Sequence, residues 1–100
     1  MMAGKNSVKD FAMKEWTKIF KGLANENRLA ILKVLAKHGE LSVKMICNKL
    51  DKHVKLVSKH LGILAHMNIV EGQGKLGSVW YKLHPSLRSE VKTILYKFLK

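Results

Sequence analysis

At Asn68 the apolar rhythm of the chain changes period, and that change does most to restrict its fold. Upstream, in "HVKLVSKHLGILAHM", Val54, Val57, Leu61 and Leu64 recur at helical spacing and share one face. Leu56, His60, Ile63 and Met67 line another side, so the helix is expected to pack on two sides. Lys55, Ser58, Lys59, Gly62 and His66 fill an arc roughly 100° wide beside the first face. Asn68 fits a left-handed cap. Ile69 and Val70 then open a strand, "GQGKLG" supplies a glycine-rich turn, and "SVWYKLH" reads as the returning strand. A helix with a cationic side thus feeds directly into a two-stranded ribbon.

The chain before this point reads as helices. Residues 1–6 look like a loose tail, and Ser7 fits an N-cap with Asp10 behind it. Phe11, Trp16, Ile19 and their neighbours cover over half the circumference of a helix over 7–22. That breadth exceeds one core contact and calls for a second surface. Asn25 can cap the next helix, Glu26 suits its first turn, and Gly39 fits the position just past its end. "GELS" is a short extended link. Ser42 caps a brief third helix whose stripe is Val43, Ile46, Cys47 and Leu50. "DKH" breaks it, and His53 or Asp51 opens the fourth. Pro85 starts a last helix over 85–100, with Leu87, Val91, Ile94 and Phe98 on one face and Leu95 and Leu99 widening it.

The expected fold is mainly α with a small β-hairpin wing, a winged helix-turn-helix in the order α-α-β-α-α-β-β-α. Residues 7–100 form one domain, as 100 residues imply. Charge then narrows the partner. Nineteen Lys and Arg stand against seven Asp and Glu, a formal net charge of +12. Such an excess asks for an anionic surface, nucleic acid or membrane. The single cysteine, Cys47, excludes a disulfide within the chain. The charged N-terminal stretch has no apolar core of a signal peptide, and no apolar run approaches a membrane span. A cytoplasmic domain facing nucleic acid is expected.

The stretch from Phe20 to Leu83 resembles the ArsR-type winged-helix repressors of bacteria and archaea. "LANENRLAIL", "GELSV", "VSKHLGIL" and "VWYKL" carry the resemblance. It implies a homodimer, paired through the first and last helices, that represses transcription from a partly palindromic operator. It also implies that the fourth helix enters the major groove of double-stranded DNA. Phe11, Trp16, Ile19, Val91, Ile94, Leu95 and Phe98 are the expected dimer contacts.

The residues support the same placement independently. Lys52, His53 and Lys55 cluster where a helix N-terminus offers unpaired N–H groups to a phosphate. Ser58 and Lys59 follow one turn on, within reach of base edges, and Gly62 leaves room for close backbone approach. Lysines on a solvated face are ordinary. Their clustering, the net charge and the motif position favour contact. His60 lies off the cationic arc and reads as a packing and hydrogen-bonding residue. The hairpin departs from the family: arginines are missing, and Lys75 and Gln73 are left to make any wing contact. Its three glycines at 72, 74 and 77 read as a source of tip mobility.

No cofactor and no metal are expected. Ser42 and Lys44 occupy the places of the Cys-x-Cys pair that serves the family's best-known metal site. The last helix has no Asp or His, and His84 with Glu90 is too little for its other site. Cys47 falls on an apolar stripe, which favours a core role over a redox one. His38, His53, His60, His66 and His84 form no i, i+4 pair. No phosphate loop and no nucleophile–base pair can be named, so no enzyme is expected. Three functions remain in competition: a sequence-specific repressor, an architectural DNA-coating protein on the same fold, and a protein- or membrane-binding module. No effector can be named from the residues.

Overall fold

The computed structural model describes residues 2–99, with side chains described for 12–97 and 99. Five helices and three short strands follow one another: α1 (Met2–Leu23), α2 (Glu26–His38), β1 (Leu41–Ser42), α3 (Val43–Leu50), α4 (Val54–His66), β2 (Val70–Lys75), β3 (Ser78–Leu83) and α5 (Ser89–Phe98). The strands form one antiparallel sheet in the order β1-β3-β2. "GELS" therefore does more than link: Leu41 and Ser42 pair with Tyr81 and Trp80 and fix the sheet to the helices.

Local chemistry accounts for most boundaries. The Asn25 side chain accepts a hydrogen bond from the Arg28 N–H at 3.1 Å and starts α2. The Ser42 hydroxyl accepts from the Met45 N–H at 3.2 Å and starts α3. Asn68 holds a φ of 59°, the left-handed conformation that ends α4 and turns the chain into β2. α2 is the hub, packing on every other helix and on β3. Its Ile31, Leu32 and Leu35 meet Ile46 of α3, Leu61 and Leu64 of α4, and Val91 and Leu95 of α5, all essentially without solvent contact. Each such side chain contributes about 1.5–3 kcal/mol on burial.

Three expectations change. α1 begins at Met2, ahead of Ser7, so residues 2–6 continue the helix instead of forming a tail. No proline interrupts them, and each residue added to a nucleated helix adds a hydrogen bond. α5 begins at Ser89, four residues after Pro85. His84 takes the intervening segment into a turn: its Nδ1 accepts from the Ser86 N–H at 3.1 Å, and its carbonyl accepts from the Leu87 N–H at 3.0 Å. That turn drops Leu87 into the core. Finally, Ile19, Val91 and Leu95, expected to meet a partner, are buried in the chain's own core.

The wing closes in a two-residue loop. Lys75 pairs with Ser78, and between them Leu76 and Gly77 hold φ values of 52° and 77°. Positive φ at both loop positions is the hairpin geometry that Asn-Gly favours. A leucine there costs about 1 kcal/mol, and Leu76 gains nothing back by packing, being 99% exposed. Leu76→Asn is therefore expected to raise stability by about 1 kcal/mol. Thermal unfolding at fixed protein concentration measures it, and an unchanged or lower midpoint contradicts the account. The tip is more defined than three glycines suggest. A Cβ on Gly72 would lie 2.7 Å from the Tyr81 ring, so the bare backbone there is a packing surface.

Candidate nucleic-acid interface

Asp51, Lys52 and His53 make the tight turn between α3 and α4. Asp51 is left-handed at φ 51°, and the Lys52 N–H closes on the Cys47 carbonyl at 3.1 Å. His53 is the N-cap of α4: its Nδ1 accepts from the Lys55 N–H at 3.1 Å. The imidazole of exposed His53 thereby satisfies one free donor of the helix end through Nδ1 and keeps Nε2 out of the cap. The sequence allows either His53 or Asp51 as the opener. The structure divides the work, with Asp51 closing α3 and His53 starting α4.

Beyond the cap, α4 separates into two faces. Val57, His60, Leu61 and Leu64 are buried, while Val54, Lys55, Ser58, Lys59, Gly62 and His66 are exposed. The expected cationic arc is thus solvent-facing along its whole length. A Cβ on Gly62 would meet nothing within 4 Å, so internal packing does not require that glycine. It sits mid-helix, where glycine costs about 1 kcal/mol relative to alanine. Val54 is the correction on this helix. Its spacing puts it on the packed face, yet it is half exposed and borders Ser58 on the outer face.

His60 is held from behind. It is buried, and the Arg28 guanidinium Nη1 lies 3.3 Å from its Nδ1. Arg28 also donates from Nε to the Gly22 carbonyl at 2.7 Å and from Nη2 to the Lys21 carbonyl at 3.2 Å. One side chain therefore ties the C-terminal carbonyls of α1 to the middle of α4. With a guanidinium as donor, Nδ1 is the acceptor and the ring proton sits on Nε2. Burial first, then the charges of Arg28 and Lys59, push the His60 pKa below its ordinary value of 6.5. The unfolded chain takes up a proton at His60 before the folded chain does. Stability is therefore expected to fall as pH drops below about 6.5, levelling off once the folded imidazole also protonates. Exposed His38, lowered by desolvation and by Lys49 and Lys37, adds a slope of the same sign. Chemical denaturation between about pH 7.5 and about pH 5, which brackets the ordinary histidine value, tests this. His60→Gln should flatten the fall, and an equally steep fall in that variant assigns the titration elsewhere.

The wing cations are less free than the sequence suggests. Lys75 pairs with Glu40 at the end of the α2–β1 link, and its Nζ lies 5.4 Å from the centroid of the Trp80 ring. Gln73 is exposed opposite Trp80 in the ladder. The Trp80 indole N–H is buried with no hydrogen-bond partner among the described residues.

Where the family's thiolate pair would stand, the Ser42 hydroxyl is engaged as a helix cap and Lys44 is exposed. Among the described residues no three His, Cys, Asp or Glu side chains come together. Cys47 is half-buried against the core. Met13 and Phe20 of α1 and Tyr96 of α5 are exposed, and Trp16 stacks on Phe20 at 5.7 Å. Ile94 is half-buried. Phe11 and Phe98, also expected at a partner surface, lie outside the described side chains. No described helix is long and apolar enough to cross a membrane.

Comparison with known proteins places this geometry. The family described as "Bacterial regulatory protein, arsR family" matches residues 25–72. The arsenical resistance operon repressor of Escherichia coli K12 is 35% identical over 69 residues, which cover 69% of this chain and 59% of that protein. The chain thus spans about three fifths of the length of the curated relatives it matches. Among solved structures, the transcriptional regulator HlyU from Vibrio vulnificus CMCP6 is 31% identical, with a TM-score of 0.74 over 92% of this chain and 94% of that one. A homodimeric winged helix-turn-helix DNA-binding domain from Mycobacterium bovis is 25% identical, with a TM-score of 0.75 over 88% of this chain and 78% of that one. It is described as a possible ArsR-family transcriptional regulator.

Proposed function

We propose, for a chain that belongs to the ArsR-type family of winged helix-turn-helix regulators, that it acts as a homodimeric transcriptional repressor in the cytoplasm. α4 enters the major groove of a partly palindromic operator. The observation that carries this reading is the exposed face of α4, where Lys55, Ser58, Lys59 and Gly62 stand together in contact with solvent. Lys52 and the outer edge of His53 meet phosphates at the helix N-terminus. Lys75 and Gln73 meet the flanking groove, and Lys75 exchanges Glu40 for a phosphate as it does so. Trp16, Ile94, Met13, Phe20 and Tyr96 supply the surface for a second copy, in line with the homodimeric relative. The reading involves no catalytic step and no metal at Ser42 or Lys44.

Selection of bound fragments from random duplexes tests it. The expected product is a palindrome whose half-sites are about one helical turn apart. A pool without consensus, bound as tightly as any other duplex and with a steep salt dependence, would replace the repressor by an architectural DNA-coating protein.

A further inference from the structure

The exposed large apolar side chains of the described residues fall into two groups. Met13, Phe20 and Tyr96 lie on α1 and α5, whereas Met45, Val54, Leu76 and Val79 lie on α3, α4 and the wing. Pairing of two copies through α1 and α5 leaves the second group unexplained. Within it, Val54 is the first residue of α4 and is half exposed on an otherwise polar, cationic face. It also walls a cleft of about 360 Å³ shared with Val43, Lys44, Cys47, Ser78 and Val79, mostly apolar and open to solvent.

We propose that Val54 is a specificity-determining residue that packs against the 5-methyl group of a thymine in each half-site. This rests on the reading of α4 as the groove-entering helix. The N-terminal residues of such a helix are those that reach base edges. On the edges presented in the major groove, the thymine methyl is the apolar feature a valine can recognise. The surroundings select DNA over an apolar protein segment. Lys44 lines the cleft, Lys52 and Lys55 flank Val54, and Ser58 continues the same face one turn on. Val43 and Val79 line the same cleft, so a methyl entering beside Val54 meets apolar side chains in place of water. Lys55 and Lys59 anchor the helix, and Val54 distinguishes thymine from cytosine at one position.

The selected duplex, resynthesised with deoxyuridine in place of each thymine in turn, removes that methyl and nothing else. The parent chain is expected to lose about threefold to fourfold in affinity at one symmetry-related position per half-site, the effect of burying one methyl. Val54→Ala, which removes the contact from both half-sites of the homodimer, should bind the thymine duplex about ninefold to sixteenfold more weakly and be indifferent to deoxyuridine there, with an unchanged melting curve. Val54→Thr, which keeps a methyl, should retain part of the sensitivity. The proposal is overturned if Val54→Ala keeps the parent's full sensitivity, or if no deoxyuridine position matters. Failure to select any consensus is a different result, and it removes the groove-reading function itself.

Discussion

The double variant Lys55→Ala, Lys59→Ala is expected to bind its selected duplex about a thousandfold more weakly than the parent chain, with its melting curve unmoved. Both side chains project from the exposed face of α4 and make no ion pair among the described residues. Their removal therefore takes nothing from the core. In a homodimer the two substitutions delete four cations at once. At about 1 kcal/mol for each cation removed from the DNA, the sum is near 4 kcal/mol, or three orders of magnitude. The salt dependence should become shallower as well, because fewer counterions are released on binding. Titration of a labelled duplex at several salt concentrations reads both quantities. Affinity within a fewfold of the parent, at unchanged salt slope, would mean that α4 does not face the DNA.

Arg28→Ala is expected to act on stability instead, lowering it by about 2–3 kcal/mol. Arg28 donates to the carbonyls of Gly22 and Lys21 and faces the Nδ1 of His60. Hydrogen bonds to a charged donor contribute about 1.5–3 kcal/mol when sheltered, and the partly exposed setting discounts their sum. Arg28→Lys should recover little, since an ammonium cannot span three acceptors in the plane of a guanidinium. The variant also removes one of the charges that hold His60 neutral, so its stability should depend less on pH below about 6.5 than the parent's. Denaturant titration at two pH values measures both effects. A loss under about half a kilocalorie would show that the α1–α4 bracket is ornamental, within the range of ordinary surface changes.

What is legible in the sequence is written in local chemistry. Asn25 and Ser42 announce helix starts because their side chains satisfy donors three residues ahead, and Asn68 announces an end because few residues tolerate its φ. The outward arc of α4 follows from helical period alone. What is not legible depends on partners distant in the chain. Period places Val54 with Val57 and Leu61, but only the packed body shows that the first turn of α4 extends past its cover. Arg28 meets His60 across 32 residues, and Lys75 meets Glu40 across 35, with no pattern in either segment to announce the pair. The breadth of apolar residues on the first and last helices is visible. How it divides between core and free surface is not, since Ile19, Val91 and Leu95 differ from Trp16 and Tyr96 only in which way the folded body lies.

The positions of the indoles carry a practical consequence. The chain has two tryptophans, and the fold sends Trp16 to the α1 flank and Trp80 to the hairpin, beside the ammonium of Lys75. On the proposed reading, intrinsic emission therefore holds one reporter for pairing of two copies and another for docking of the ribbon on DNA. Single replacements by phenylalanine would let an unlabelled sample be followed through each event separately.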